Sequence, residues 1–260
     1  MSKLNGAWFQ SAPASPRTAL RLFCFPYAGG SAVMYKKWAE LLPATIQVIS
    51  VELPGRGPRL QEPAYVSVSP LVEELEVAIR PLLDRPFVLF GHSMGAIIAF
   101  ELARSLRRRG ASQPRAVLVS GHRAPQVRRR EPITYNLPQT EFIEELIKLD
   151  GTPKEVIEHA ELMEMMIPLL RADFQLVQTY EYFAEAPLPC PIIAYGGLQD
   201  RHIPQDLLAP WKDLTVSRFA LHMLPGDHFF IRSSQARLLE LLARELREAT
   251  AESRVNRQET

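Results

Sequence analysis

The chain has 260 residues, enough for one large hydrophobic core or two small ones, and its 47% apolar and 23% charged content is that of an ordinary globular protein. A net charge of +1 gives no overall field to hold nucleic acid or an anionic membrane, and no apolar run reaches the roughly 18 residues that a membrane span needs. Cys24 and Cys190, the only cysteines, form no C-x-x-C pair and argue against a disulfide framework or structural zinc, while residues 1–16 lack the apolar stretch of a secretory signal, so the expected compartment is the cytoplasm.

Residues 20–25 read as the first strand, and the loop Pro26-Tyr27-Ala28-Gly29-Gly30-Ser31 follows it. A second strand spans 46–51 and ends in a Pro54-Gly55 turn. A helix is predicted over 69–83, with Ser69 as N-cap and Pro70 at the first helical position, where its missing N–H does no harm. Residues 87–90 form a short apolar run that reads as a buried strand, and a helix follows over 96–109. Further strands are predicted at 116–120, 191–195 and 217–224, and a last helix at 234–246. Apolar strands alternating with helices predict an α/β fold with a mostly parallel sheet covered on both faces.

Between 121 and 188 the rhythm breaks, and only helical patterns appear: 139–149, 152–159 with a capping box at Thr152-Pro153-Lys154-Glu155, and 161–183, which Pro168 should kink or split. A helical insertion between two strands reads as a lid over the strand ends. Its Met163, Met165, Met166, Leu169, Leu170, Phe174 and Tyr180 either pack the lid or line an acyl pocket.

Gly91-His92-Ser93-Met94-Gly95 fits the G-x-S-x-G nucleophile elbow, with a strand before it and a helix after it. A serine hydroxyl is a weak nucleophile and needs a base, and the base needs a group to orient it. In sheet-based hydrolases the chain order is Ser, acid, His. That order selects Asp200, after a strand and a glycine turn, and His228, in the loop between the last strand and the last helix. Of the other histidines, His92 adjoins the nucleophile and should point away from Ser93, and His122 follows a strand but precedes any suitable acid. His159 reads as solvated, His202 could edge the site, and His222 reads as a sheet residue. Asp227 adjoins His228 and has poor geometry to accept from its ring. For the oxyanion the backbone N–H of Met94 is one donor, and that of Ala28 the other, with Tyr27 the second choice. The glycine loop lacks the lysine and spacing of a phosphate-binding fingerprint.

These motifs together resemble the type II thioesterases, stand-alone α/β-hydrolases that serve polyketide and non-ribosomal peptide synthases: LFCFPYAGGSA, ELPGRGPR, FGHSMGA, PLLRADFQLVQTYEY, YGGLQDRHIP and PGDHFF occur in the family's order. The resemblance implies an α/β-hydrolase core at 20–120 and 189–247, an N-terminal extension at 1–19, a helical lid insertion at 121–188 and a flexible tail at 248–260. It implies hydrolysis of acyl groups from the phosphopantetheine arm of an acyl or peptidyl carrier protein, with Ser93, Asp200 and His228 as triad and Met94 and Ala28 as oxyanion donors. Tyr27, Met163, Met166, Phe174 and Phe229 would contact substrate. Many relatives carry His where this chain has Tyr27. No cofactor or metal is expected, nor nucleic acid or membrane as partner, and a monomer is expected. Arg123, Arg128, Arg129 and Arg130 are either a docking patch for an acidic carrier or a solvated charge run. Arg107, Arg108 and Arg109 read as answering a helix dipole. Rival readings are a general esterase, an acyltransferase and a non-catalytic binder on a hydrolase scaffold.

Overall fold

The computed structural model describes residues 7–149 and 159–255. Seven strands form one sheet: β1 (Phe9–Gln10), β2 (Leu20–Phe25), β3 (Ile46–Val51), β4 (Phe87–His92), β5 (Val117–Ser120), β6 (Ile192–Gly197) and β7 (Phe219–Leu224). Their order is β1-β3-β2-β4-β5-β6-β7, parallel throughout except for β1, which pairs antiparallel with β3 at the edge. The α-helices of ten or more residues are α1 (Val68–Ile79), α2 (Met94–Arg108), α3 (Gln139–Lys148), α4 (Ala160–Gln178) and α5 (Gln235–Val255).

The central strands are mostly apolar because both faces are covered, and successive side chains alternate between two cores. Phe23, Phe25, Leu89, Val117 and Val119 face α1 and α2, together with Leu71, Leu75, Ile97 and Leu102. Leu22, Cys24, Val88, Phe90 and Leu118 face the other way and meet Trp38, Leu238, Leu242 and Leu246. Cys24 and Cys190 are free and buried.

The chain runs from β2 outward to β3 and then returns to place β4 on the other side of β2. The crevice at such a reversal, beyond the carboxyl ends of the strands, is where open α/β sheets bind ligands. The glycine loop after β2 and the serine after β4 flank it.

The element boundaries depart from expectation in several places. β1 is an additional strand; a two-residue segment carries no periodicity to read. α1 begins two residues earlier than the Ser69 cap implies, with Ser67 at the N-cap and Pro70 inside the first turn, where its missing N–H is still harmless. α4 runs through Pro168 as one element. A proline removes one backbone bond, whereas Ile167 and Leu170 on either side of it are packed against Phe142 and Leu146 of α3. That helix ends at Gln178, short of the expected 183, while α5 continues well past Leu246 to Val255. The helix expected at 152–159, with its capping box, lies almost wholly outside the described residues. Among the described residues no helix is long and apolar enough to cross a membrane.

Gly95 lets the start of α2 approach the end of β2. An ideal Cβ on Gly95 would lie 2.2 Å from the carbonyl oxygen of Phe25, and one on Gly91 would lie 1.9 Å from the carbonyl oxygen of Gly95. Both obstacles are backbone, which cannot rotate away. Gly95→Ala is expected to cost about 3 kcal/mol or more of folding stability, measured by urea denaturation.

Candidate active site

Ser93 occupies the turn between β4 and α2 at φ 52° and ψ −115°, the only non-glycine residue at positive φ among the described residues. A side chain held in this costly conformation is the geometry of a nucleophile elbow. Ser93 N–H donates to the Ser120 carbonyl at 2.7 Å, which ties the elbow to the neighbouring strand. Met94 opens α2, so its N–H has no partner within the helix and lies at the positive end of the helix dipole.

His228 Nδ1 lies 2.7 Å from Asp200 Oδ2. The other carboxylate oxygen, Oδ1, accepts from the N–H groups of His202 at 2.9 Å and Ile203 at 3.0 Å. Burial alone would raise the Asp200 pKa, but the bond from His228 and the two backbone donors outweigh it and hold the carboxyl below its usual range. An ionised Asp200 keeps the proton of His228 on Nδ1, which leaves Nε2 as the basic nitrogen. Asp227 is occupied otherwise: its Oδ1 accepts from Phe229 N–H at 2.7 Å.

Ser93, His228, Tyr27 and Ala28 line one cavity of about 940 Å³ beneath the helical insertion. No hydrogen bond joins Ser93 to His228 among the described residues; they meet across this shared space. Met166, Phe174 and Phe229 also line it. Met163 does not: it is buried with Phe142, Leu146 and Ile167 in the insertion's own small core, because it lies on the face of α4 turned to α3. Met165 is exposed. In the loop after β2, Gly29 N–H is committed to Asp173 Oδ2 at 2.7 Å and Gly30 N–H to the Tyr27 carbonyl at 2.9 Å. Tyr27 and Ala28 N–H therefore remain as the loop's candidate oxyanion donors.

Two further histidines pack around the site. His92 Nδ1 lies 2.8 Å from Ser120 Oγ, and its ring sits 5.3 Å from that of His228 and 5.9 Å from that of Tyr27. Burial, with His228 adding to the effect, holds its pKa well below the usual imidazole range. His122 lines the cavity, and its Nδ1–H donates to the Arg123 carbonyl at 2.7 Å. Burial lowers its pKa to about 4, so it is neutral at pH 7. His222 lies on β7, stacked on Tyr195.

The loop arginines divide into two kinds. Arg123 pairs with Glu131 at 2.7 Å, and Arg129 donates to the Pro132 carbonyl at 2.7 Å, whereas Arg128 and Arg130 are exposed. Arg107 and Arg108 are held by Glu185 at 2.8 and 2.7 Å.

Sequence reading missed a buried pair beside the glycine loop. Arg56 and Asp173 lie in the ELPGRGPR and PLLRADFQLVQTYEY motifs, yet nothing in either motif alone says that they meet. The structure joins them at 2.7 Å.

A thioesterase domain sequence model matches residues 20–246. The gramicidin S biosynthesis protein GrsT of Aneurinibacillus migulanus is 40% identical over 247 residues, covering 95% of this chain and 96% of that protein. The RedJ thioesterase from the prodiginine pathway of Streptomyces coelicolor superposes with a TM-score of 0.84 at 37% identity, covering 90% of this chain and 95% of its own. The type II thioesterase BorB from the borrelidin cluster gives a TM-score of 0.84 at 36% identity, covering 92% of this chain and 98% of its own.

The His122 ring resists protonation when folded and accepts a proton readily when unfolded, at an ordinary value near 6.5. Its folded pKa is the lower one, so stability is full above about pH 6.5 and declines as pH falls towards about 4. At pH 5 this group alone is expected to cost about 2 kcal/mol relative to pH 7. His122→Gln should flatten that part of the profile, measured as Tm against pH.

Proposed function

This chain belongs to the thioesterase domain family, and we propose that it hydrolyses acyl chains from the phosphopantetheine arm of carrier proteins in polyketide or non-ribosomal peptide synthesis, clearing stalled or mis-primed groups. The observation that carries this reading is the Asp200–His228 contact at 2.7 Å, whose imidazole lines the same cavity as a serine held at φ 52°.

In this mechanism Nε2 of His228 takes the Ser93 proton as Oγ attacks the thioester carbonyl. Met94 and Ala28 N–H groups hold the oxyanion. The C–S bond breaks, and the departing thiolate takes the proton from Nε2. Water then attacks the acyl-serine ester, with His228 again as base, and the free acid leaves. Losing one oxyanion donor typically costs about 100–1,000-fold in rate.

The cavity is where the arm and acyl chain are accommodated, with Met166 and Phe174 against the chain and Tyr27 and Phe229 near the serine. Tyr27 and Phe229 pack edge to face at 5.2 Å, forming a rigid aromatic wall beside His228. Arg128 borders the cavity as an exposed cation, a contact suited to an acidic carrier. The helical insertion at 121–188 acts as the lid over the core at 20–120 and 189–247.

Intact-mass analysis of carrier proteins loaded with different acyl groups, before and after incubation, tests the reading. The wild type is expected to return the free-thiol form, and Ser93→Ala to leave the acyl form intact. Carriers that stay loaded while simple esters are cleaved would favour a general esterase. Asp200→Asn should lower kcat about 1,000–10,000-fold, since the wrong imidazole tautomer is then favoured.

A further inference from the structure

The mechanism above makes no use of the most buried ion pair near the site. Arg56 follows β3 and Asp173 lies on α4; their side chains are 4% and 1% exposed. The contact is a two-pronged fork, with Nη2 to Oδ1 at 2.7 Å and Nη1 to Oδ2 at 2.9 Å. The same Oδ2 accepts from Gly29 N–H at 2.7 Å, and the same Nη1 donates to the Gly30 carbonyl at 3.0 Å. One residue of the insertion is thus bonded directly to the backbone of the glycine loop. The fit is tight as well: an ideal Cβ on Gly29 would lie 2.7 Å from Leu170 Cδ2 of α4.

The bonded segment is a four-residue turn closed by Gly30 N–H to the Tyr27 carbonyl at 2.9 Å, with Ala28 and Gly29 at its centre. Gly29 has φ +74°, the value of a type II turn at that position. Types I and II differ in which way the central peptide faces. Here that peptide carries Gly29 N–H. In the other form the Ala28 carbonyl would face the buried carboxylate, leaving two acceptors opposed and unsatisfied. Asp173 therefore selects the turn form, and Arg56 fixes the orientation of Asp173.

We propose that Asp173 is a positioning residue for the oxyanion hole: by accepting Gly29 N–H it sets the conformation of the turn that presents Ala28 N–H, so that seating of α4 is a condition for a complete hole. This rests on the reading of Ser93 and Ala28 given above. The turn is built from a residue before the insertion and an anchor within it, so displacement of α4 removes the bond that holds the hole in form.

Asp173→Asn keeps the shape of the side chain and loses the charge that holds the fork. It is expected to lower kcat about 10–100-fold on an acyl-thioester, with KM within about threefold, and to weaken a boronic acid that mimics the tetrahedral intermediate by the same factor as kcat. The control is Ile167→Ala, which removes packing between α4 and α3 inside the insertion and leaves the seating of α4 on the glycine loop, through Asp173 and Leu170, in place; it should lower Tm while kcat and boronate affinity hold. Should Asp173→Asn fail to fold, Arg56→Lys, which keeps the charge but not the fork, carries the same readouts. A variant that behaves like Ile167→Ala, losing Tm but neither kcat nor boronate affinity, overturns the positioning role alone. A wild type that neither turns over thioester nor binds the boronate overturns the reading of Ser93 itself.

Discussion

The site depends on a backbone constraint more than on any side chain. Ser93 is held at positive φ, and the turn survives only because Gly91 and Gly95 leave no Cβ to collide with the backbone beside them. The unfavourable conformation is over-determined by its surroundings. Phe25 pairs with Gly91 in the parallel register, and Ser93 N–H is bonded to the end of β5. The same close approach sets the start of α2 against the carbonyl of Phe25, two residues before Tyr27. The amide of Met94 and the glycine loop are therefore brought together by one packing event. A change that relaxes the elbow moves Ser93, the Met94 amide and the glycine loop at once.

Desolvation then sorts the site's histidines. Three imidazoles lie close together, and the environment treats them differently. His92 and His122 are buried without a carboxylate partner, and both are held neutral. His92 carries no solvent-facing surface at all and serves as a wedge: a Cβ on Gly121 would lie 2.7 Å from its Cε1. His228 is the imidazole of the three that is bonded to a carboxylate, at 2.7 Å. Keeping its neighbours uncharged removes like-charge repulsion that would oppose an imidazolium forming at His228. The acid does the converse, since backbone donors and the imidazole keep Asp200 ionised despite burial. The carboxylate contact thus sets His228 apart from the two rings beside it.

The sheet was legible because burial on both faces demands predominantly apolar runs, and β2 and β3 coincide with theirs residue for residue. The positions of Ser93, Asp200 and His228 were legible for a related reason: each follows the carboxyl end of a strand, where chain order and turn composition point to it. The errors fall where these signals lapse. A two-residue edge strand has no period. The end of α5 lies in a polar stretch where helix and coil have similar patterns. Met163 and Met166 sit on one helix, three residues apart, and a pattern of apolar positions cannot tell the side that faces α3 from the side that faces the cavity. Pro168 shows local propensity overruled by packing on both of its flanks.

The Arg56–Asp173 pair was illegible for a deeper reason. Its partners are 117 residues apart, and each alone reads as an ordinary charged residue that belongs on the surface. Burying both charges is costly, and well-packed apolar side chains in their place would often be as stable. Stability is therefore a weak reason for such a pair at this spot. What apolar residues cannot supply is direction. A carboxylate oxygen can accept one chosen N–H of the glycine loop, and a planar guanidinium can fix the carboxylate while donating to the next carbonyl. A greasy contact would let α4 slide against the loop by fractions of an ångström at little cost. A fork with four named bonds does not, and an oxyanion hole works only when its donors are held at hydrogen-bond distance from an atom that becomes charged for an instant.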